Sequence, residues 1–440
     1  MIKRLIVICI TIISSSAIAQ QGTASPYSFY GLGTLKFKGT VENRSMGGIS
    51  VYLDSIHVNL RNPAAYAGKP LNSARFNGES RPVKFAVAGA STGVNLKSDS
   101  GDATGSSATF DYLALSVPVG KFGFGFGLMP FTAVGYKLDD VNNDGDIVNR
   151  YRGEGGVNKV FAGLGYQISD QLSFGVDFNY NFGNIQNTAL AVEFNPEGNV
   201  VQFQTREFNR SDLSGLNLNF GLAFKTKISD KIELSATATY SPESQLSSEN
   251  ERTFSTVSVS GIDLEVISIS NTIEVDLESQ NLKNTELTIP SRLSMGAGIG
   301  EPRSWFFGME YTLQNTADFS NPIFSNEISA FENSSQISMG GFYIPNYNAF
   351  SGYFKRVVYR AGFKYSNTGL VIKDESINEF GISFGLGLPV GDKNLFSNAN
   401  LGLEFGKRGT KNQNLVQENF INFNVSLSLN SRWFQKRKYN

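Results

Sequence analysis

Several segments of this chain alternate a large apolar residue with a small or uncharged polar one. In "KFGFGFGL" (residues 121–128), phenylalanines and a leucine point to one side of an extended chain and glycines to the other. The same pattern recurs in "QLSFGVDFNYNFG" (171–183), "GLNLNFGLAFK" (215–225) and "FINFNVSLSLN" (420–430). A period of two indicates β-strands. The second face carries mostly Gly, Ser and Asn rather than Lys and Glu, which suits the lumen of a transmembrane barrel better than the surface of a soluble sandwich.

The first residues predict an export signal. Lys3 and Arg4 precede an apolar run over residues 5–13, and the serines after it lead into the small-residue cleavage pattern Ala-Ile-Ala at residues 17–19. Cys9, the only cysteine of the sequence, lies in that apolar run. The exported chain is therefore expected to lack disulfides, cysteine catalysis and cysteine zinc sites. Without Lys3 and Arg4 the acidic residues slightly outnumber the basic ones, so no basic surface for nucleic acid is expected.

Beyond the signal there is no apolar run long enough for a transmembrane helix, so a membrane-spanning form of this chain must be a β-barrel. Short turn signals and long polar stretches follow one another along the sequence. The turns lie at 118–121, 169–171, 229–231, 301–304, 345–353 and 390–393. The long stretches, read as loops, lie at 98–105, 138–157, 184–212, 241–289, 315–333, 366–377 and 407–417. This alternation predicts about fourteen strands with both chain ends on the short-turn, periplasmic side.

The predicted fold is an all-β transmembrane antiparallel barrel. The predicted divisions are a signal peptide (1–19), an N-terminal segment with short helical turns (20–71), the barrel (72–434) and a basic periplasmic tail (435–440). Trp433 and Phe434 would close the last strand, as aromatic residues commonly do in outer-membrane barrels. The predicted location is the outer membrane, with its lipid as a partner.

Two short motifs precede the alternating segments. "NRSMGG" occupies residues 43–48 and ends in Gly47 and Gly48, and "NPA" follows at Asn62, Pro63 and Ala64 after a spacer that carries a carboxylate. Asn62 suits an N-cap and Pro63 the first helical position, so this segment predicts one helical turn. The motifs resemble the N-terminal hatch of the FadL/TodX family of outer-membrane transporters for hydrophobic compounds, in the form common among Bacteroidota-like sequences.

The resemblance implies that residues 20–71 form a small N-terminal plug, with short helical turns, that closes the barrel from the periplasmic side. It also implies that hydrophobic compounds leave sideways through a gap where the third strand kinks. The third predicted strand contains Pro130, which cannot donate a ladder hydrogen bond and marks an edge or a bulge. Pro130 is thus a candidate lateral gate, and its alternative is a proline at the outer end of a regular strand.

Three functions remain open on the sequence. The first is passive uptake of hydrophobic compounds, such as long-chain fatty acids, by lateral diffusion through the barrel wall. The second is a non-transporting accessory or structural subunit of an outer-membrane secretion or protein-assembly complex, since a fold does not fix a function. The third is an adhesin-like surface barrel, suggested by the Ser- and acid-rich stretch 241–290.

Few residues could carry chemistry. His57 is the only histidine, and it lies near Asp54 in the predicted plug, so we expect no enzyme and a structural role for this histidine. A candidate structural calcium site begins in "DDVNNDGDIVN", where carboxylates and amides alternate as a hard cation requires. Its residues are Asp140, Asn142, Asp144 and Asp146, and the last position of the motif is Tyr151 rather than Glu, which leaves the ligand set incomplete and favours the alternative of a polar extracellular loop. No other cofactor is expected.

Charged residues on the small-residue face of the strands would line the lumen. They are Arg356, Arg360, Lys364, Glu310 and Glu404. Since a buried charge needs a partner, they are expected either to form ion pairs that join the wall to the plug or, for Arg356 and Arg360, to meet the carboxylate of an acidic hydrophobic ligand.

Overall fold

The computed structural model describes residues 22–54, 56–67, 81–142, 144–261, 263–323, 329–390, 397–431 and 433. The predicted signal peptide, Phe434 and the basic tail lie outside these residues. Within them, no helix is long and apolar enough to cross a membrane.

Antiparallel strands form the bulk of the chain. In order they are β1 Thr34–Leu35, β2 Val83–Ser98, β3 Gly101–Val119, β4 Phe122–Pro130, β5 Thr132–Ala133, β6 Lys137–Val141, β7 Ile147–Gln167, β8 Leu172–Ala191, β9 Gln204–Lys227, β10 Glu233–Ser241, β11 Ser244–Val259, β12 Val266–Glu274, β13 Asn284–Ile289, β14 Arg292–Glu301, β15 Trp305–Gln314, β16 Ser329–Phe331, β17 Ser334–Tyr343, β18 Val358–Ile372, β19 Glu375–Pro389, β20 Asn398–Arg408 and β21 Gln417–Ser431.

The helical elements are short. One α-helical turn, α1, spans Val41–Arg44, and 3-10 turns span Pro26–Phe29, Pro63–Ala67, Thr316–Asp318, Tyr353–Arg356 and Asn412–Asn414. The predicted helical turn at Asn62 and Pro63 is therefore present, as a 3-10 turn.

The strands close into an antiparallel barrel whose wall has 14 strands, which confirms the predicted fold class. The first wall strand, β2, pairs with the last, β21, from Val83↔Ser431 to Lys97↔Gln417. Both ends of the wall thus lie on the side of the short turns. Some wall strands are made of two consecutive segments, of which β4 with β6 is one and β10 with β11 another.

The alternating faces point as the sequence predicts. Large apolar side chains such as Phe122, Phe178 and Leu216 are exposed on the outside of the wall, at 43%, 58% and 70% of their surface. Their neighbours Gly123, Asp177 and Asn181 face inward and are buried. An apolar exterior around a polar lumen is what a barrel in lipid requires.

The prediction of long loops was wrong for most of the seven stretches. β2 and β3 run to a tight turn between Ser98 and Gly101, and residues 241–289 are largely β11, β12 and β13. These segments alternate poorly because their outer face meets water rather than lipid, so both faces are polar. Backbone pairing with neighbouring strands, which the local sequence does not reveal, makes them strands.

Candidate functional site: a plugged lumen and an interrupted wall strand

The N-terminal segment, residues 22–54 and 56–67, occupies the lumen and is called the plug below. Near its start, the Tyr27 hydroxyl donates to the Val416 carbonyl at the long-hairpin end of the barrel. Near its end, the turn Pro63–Ala67 packs against Gly123, which immediately follows the short turn between β3 and β4. The plug therefore runs the length of the lumen.

The turn Pro63–Ala67 rests on a floor of wall glycines. A Cβ at Gly125 would lie 2.5 Å from the Tyr66 ring, and one at Gly175 would overlap the backbone of Pro63 and Ala64. Asn62 fixes the turn, since its Oδ1 accepts from the Ala64 N–H at 3.0 Å and its Nδ2 donates to the Leu222 carbonyl at 3.0 Å. The whole floor comes from β4, β7, β8 and β9 and comprises Gly123, Gly125, Gly163, Gly165, Gly175 and Gly221. The small face of the alternating strands thus leaves room for the plug.

The "NRSMGG" motif makes a second close approach. Gly47 has φ +73°, and a Cβ there would lie 2.5 Å from the Phe363 carbonyl oxygen and 2.7 Å from that of Met339. On the facing wall, a Cβ at Gly340 or Gly362 would collide with the backbone of Met46. Backbone therefore meets backbone here, and only glycine fits at Gly47.

Among the residues that the structure describes, three ion pairs join the plug to different wall strands. Arg44 Nη2 lies 2.7 Å from Asp111 Oδ2 on β3, with these side chains 10% and 1% exposed. Arg61 Nη2 lies 2.5 Å from Glu310 Oε1 on β15, and Lys38 Nζ lies 2.9 Å from Glu379 Oε1 on β19. Such pairs are costly to break because each would leave a buried charge without its partner.

A further network, made of ion pairs, links wall strands that lie behind the plug. Lys364 Nζ on β18 lies 2.9 Å from Glu379 and 2.5 Å from Glu404 on β20. Arg408 also pairs with Glu379, and its Nη1 lies 3.8 Å from Glu418 on β21. The plug joins this network again, since Ser25 Oγ donates to Glu418 Oε2 at 2.6 Å.

Four of the five predicted lumen charges lie in the lumen. Glu310, Lys364 and Glu404 take part in the ion pairs above. Arg360 is 6% exposed, and its Nη1 donates to Asn400 Oδ1 at 3.1 Å. Arg356 does not line the lumen, because the strand begins only at Val358; Arg356 ends the preceding 3-10 turn, with its guanidinium 5.7 Å from the Tyr353 ring centroid.

Sequence reasoning missed the wall partners Asp111 and Glu379. Both are charged residues on the inward face of a strand, which is the signal that identified Glu310 and Glu404. Asp111 escaped notice because β3 carries a bulge beside it, between the register pairs Ala88↔Tyr112 and Gly89↔Phe110, which breaks the period of two.

Asp54 and His57 form a pair at the short-turn end of the plug. Their side chains meet at 2.6 Å between Nδ1 and Oδ2, and Asp54 Oδ1 accepts from the N–H groups of Ile56 and His57 at 3.0 and 2.7 Å. Burial alone would raise the pKa of Asp54, but the pairing and hydrogen bonds with His57 outweigh it and hold the pKa below its ordinary range. Lys84 of β2 anchors this loop by donating to the His57 carbonyl at 3.1 Å.

The third wall strand is interrupted directly after Pro130. β4 ends there, paired to β7 as far as Pro130↔Asn158, and β6 resumes pairing with β7 only at Lys137↔Arg152. Between them β5 pairs not with the wall but with β1 of the plug, in the register Thr34↔Ala133 and Leu35↔Thr132. Pro130 therefore stands at a break in the strand rather than within a regular strand.

The interruption leaves an edge of β3 without a wall neighbour. β3 pairs with β4 only from Leu113 to Val119, so among the described residues its upper part, Gly101 to Tyr112, pairs with β2 alone. The plug covers this edge from the lumen: a Cβ at Gly105 would lie 2.8 Å from Ala24 Cβ, and one at Gly135 would collide with the Thr23 carbonyl. Residues 22–25 and β1, which we call the strap, thus fill the gap.

An apolar cluster lies in the lumen beside the gap. Val134 and Tyr136 of the interrupted segment belong to it, Leu32 of the plug is a further member, and Phe29 of the plug packs against it. The Phe29 ring packs edge-on against Tyr136 with centroids 5.0 Å apart. Wall residues from five strands complete it: Val157, Ile185, Leu213, Leu246, Leu287 and Ile289.

The candidate calcium segment forms a turn at the tip of β6 and β7. Asn142 Oδ1 accepts from the N–H groups of Asp144 and Asp146, each at 2.9 Å, so this amide oxygen caps the turn. Asp140 Oδ2 accepts from Asn149 at 3.3 Å. No cluster of three or more His, Asp or Glu with metal-binding spacing occurs in the described part of the chain. Calcium binding at Asp140, Asn142, Asp144 and Asp146 stays a prediction.

A closed antiparallel wall with an apolar exterior, a charged lumen and an internal plug defines a plugged β-barrel of the outer-membrane type. Solved structures share this fold at low sequence identity. The Ralstonia pickettii toluene transporter TbuX matches with a TM-score of 0.57 at 12% identity, over 91% of this chain and 100% of that one. The Pseudomonas putida toluene transporter TodX matches with a TM-score of 0.56 at 18% identity, over 92% and 100%. A Pseudomonas aeruginosa FadL homologue matches with a TM-score of 0.55 at 12% identity, over the same shares.

The family assignment rests on a match to the sequence and not on these structural similarities, which show the fold alone. The chain belongs to the BamG family, whose sequence model matches residues 1–440. No curated protein matches the sequence. The resemblance to the FadL/TodX family thus holds for the fold, while the family to which the chain is assigned is BamG.

Proposed function

We propose that this protein is an outer-membrane barrel that lets small hydrophobic compounds pass passively into the membrane through a gap in its wall. The observation that carries the proposal is the interruption after Pro130, which leaves the edge of β3 unpaired beside an apolar cluster. A hydrophobic compound can leave a barrel sideways only where neighbouring strands are not hydrogen-bonded to each other.

The location is part of the proposal. Residues 1–19 act as a cleaved signal peptide, the apolar exterior meets outer-membrane lipid, and the short turns face the periplasm. The similar solved structures include transporters of toluene and a FadL homologue, which favours hydrophobic substrates such as monoaromatic compounds or long-chain fatty acids. In this proposal the protein is not an enzyme.

The path requires movement of the strap. Residues 22–25 lie along the unpaired edge of β3, and Leu32 belongs to, and Phe29 packs against, the apolar cluster that a substrate would enter. A substrate would take the place of these side chains, and the strap would leave the gap. While the strap moves, the ion pairs of Arg44 and Arg61 would hold the rest of the plug in place. The barrel would therefore not have to open as a pore.

A disulfide lock tests this route, since the exported chain is expected to have no cysteine of its own. Thr34→Cys with Ala133→Cys would join β1 to β5 at a directly paired position. The matched control is Ser294→Cys with Thr312→Cys, a buried pair with oxygens 2.8 Å apart that joins two wall strands away from the gap.

We expect the oxidised strap lock to reduce uptake of toluene or oleate into proteoliposomes at least about tenfold, the equivalent of ~1.4 kcal/mol, and reduction to restore it. The wall lock should leave uptake unchanged. If uptake by the unlocked protein equals that of protein-free liposomes, or if the strap lock has no effect, the proposed route is wrong.

A second candidate function is an accessory subunit of an outer-membrane protein-assembly or secretion complex. It is favoured by the anchoring of the plug to β3, β15 and β19 through buried or half-buried ion pairs, and by the assignment of the whole chain to the BamG family. A plug held in this way would keep the lumen closed. Such a barrel would act through the contacts that its outer surfaces make with other proteins.

Affinity purification from the native outer membrane in mild detergent separates the two functions. Stoichiometric partners that persist through gel filtration, together with no uptake in the liposome assay, would favour the accessory function. A monomer that retains a lipid-like ligand would favour passage of hydrophobic compounds.

A further inference from the structure

β12 lies on the long-hairpin side of the barrel, beyond the part of the wall whose outward side chains are apolar and can face lipid. On the wall strand below it, Tyr240 is the last large outward apolar residue of β10. The outward residues that follow on β11 are polar and exposed, in the order Gln245, Ser247, Glu249 and Glu251. This polar belt separates β12 from the apolar band, so β12 stands in water.

β12 is an edge strand. It pairs with β11 from Thr253↔Glu274 to Val259↔Val266, and within the described residues it has no second neighbour. All nine of its residues are exposed. One edge of its backbone therefore offers free N–H and C=O groups.

Three isoleucines of β12 are exposed: Ile267, Ile269 and Ile273, at 69%, 53% and 62%. Ile269 pairs with Val257 and Ile273 with Phe254, which is 41% exposed, and a register shift between Thr256 and Val257 puts Ile269 and Ile273 on opposite faces. Edge strands are ordinarily protected by charges, prolines or bulges that turn them away. Residues 266–273 contain no charge and no proline, so the register shifts in their pairing with β11 are the protection that this edge carries.

The segment that carries this edge is acidic. Residues 241–290 contain nine acidic residues against two basic ones, Arg252 and Lys283. A second copy of the chain would bring the same negative charge to the edge and be repelled, whereas a segment flanked by lysine or arginine would be attracted.

We propose that the free edge of β12 binds an extended segment of another cell-surface protein, which adds to β11 and β12 as a further strand. The segment would carry apolar residues beside Ile267 and Ile269 and basic residues at its ends, facing the acidic rim. Main-chain hydrogen bonds would supply affinity, and contacts with Ile267 and Ile269 specificity, as in other cases of strand addition. This surface is separate from the lumen and the gap, so it does not depend on passage of hydrophobic compounds.

The test uses the full chain in nanodiscs and a synthetic peptide of about ten residues, the length that strand addition needs. Valine and threonine alternate in the peptide, and lysines stand at both ends. We expect saturable binding that weakens as salt is raised, and that falls at least about tenfold, or ~1.4 kcal/mol, in the double variant Ile267→Glu with Ile269→Glu. The matched control, Gln245→Glu with Ser247→Glu, adds the same charge to the polar belt and should bind as the wild type does.

Two altered peptides check the mode of binding. A central proline removes a ladder donor, and glutamates in place of the lysines reverse the charge, so both peptides should bind at least about tenfold more weakly. Equal binding of either peptide, or failure of the lysine-ended peptide to bind, would overturn the proposal.

Other occupants of the edge give distinct results. A tryptophan introduced by Ile269→Trp should not be quenched by brominated lipid, and quenching would show that this part of β12 meets the membrane instead. A dimer in nanodisc-free detergent that the double variant abolishes would assign the edge to a second copy. Both outcomes count against the proposal. Unchanged uptake of toluene or oleate by the double variant would show that binding at β12 is independent of the proposed transport.

Discussion

Arg44 in the plug and Asp111 in the wall lie 2.7 Å apart, and the carboxylate is 1% exposed. The same guanidinium donates to Asn424 on β21 at 2.8 Å, so one plug residue ties together β3 and β21 on either side of β2. Arg44 belongs to the "NRSMGG" motif, and this contact gives the motif a physical role in holding the plug within the lumen.

Asp111→Asn should loosen the plug. Arg44 would remain buried without its counter-charge, which costs about 3–5 kcal/mol, so we expect higher conductance in planar bilayers and faster cleavage of the plug by a protease. Asp212→Asn breaks the exposed pair with Arg210, where Asp212 is 49% exposed, and should change neither readout because exposed ion pairs contribute little to stability. Equal behaviour of the two variants would show that the Arg44 pair does not hold the plug.

Gly175→Val should displace the turn Pro63–Ala67. The new side chain would begin where the backbone of Pro63 and Ala64 lies, and overpacking of this kind costs about 1–3 kcal/mol or more. We expect the barrel to assemble but its conductance to rise. Gly93→Val is the matched control, because a Cβ at Gly93 on β2 meets nothing within 4 Å. If conductance stays low in both variants, the turn Pro63–Ala67 does not pack closely on the wall glycines.

Phe29→Ala should open a cavity in the apolar cluster beside the gap. Loss of a ring packed 5.0 Å from Tyr136 should lower the free energy of unfolding by about 3 kcal/mol. Toluene should restore part of that stability by filling the space, as small aromatic molecules do in apolar cavities, and should have little effect on the wild type. Leu216→Ala, which trims an outward side chain that is 70% exposed, should show no rescue. An equal toluene effect on both variants would point to detergent or lipid rather than to the cluster.

Acid should weaken the short-turn end of the plug through Asp54. Its pKa is lowered in the folded protein from an ordinary value of 3.8, so its ionised form stabilises the fold at neutral pH. That stabilisation is lost as the pH falls below about 4, because the unfolded chain then takes up the proton first. Asp54→Asn should cost about 1–3 kcal/mol at neutral pH, and the difference from wild type in urea unfolding should narrow below about pH 4. If the free energies of unfolding of the wild type and of Asp54→Asn differ by the same amount at every pH, the charge of Asp54 does not stabilise the plug.

Much of the architecture could be predicted from local patterns. Alternation in residues such as Phe122 to Leu128 identifies a strand and both of its faces, because side chains of an extended chain point in turn to opposite sides. Counting the turns then gives the number of strands, and the "NPA" segment carries its own capping signal in Asn62. Segments such as Ser244–Val259 escaped prediction because their pairing, and not their own alternation, makes them strands.

The candidate site depended on contacts between distant parts of the chain. The sequence marks Glu310 and Glu404 as buried charges but cannot say that Arg61 and Lys364 neutralise them, since these partners come from segments far along the chain. It marks Pro130 as a break but not that Thr34 and Leu35 pair with the interrupted strand. The sequence by itself determined a β-barrel, because periodicity and turn chemistry act over a few residues, and the resemblance of its two N-terminal motifs implied the plug. Only the tertiary structure decided where the wall is open and what fills the opening, because wall closure and charge pairing depend on which segments the fold brings together.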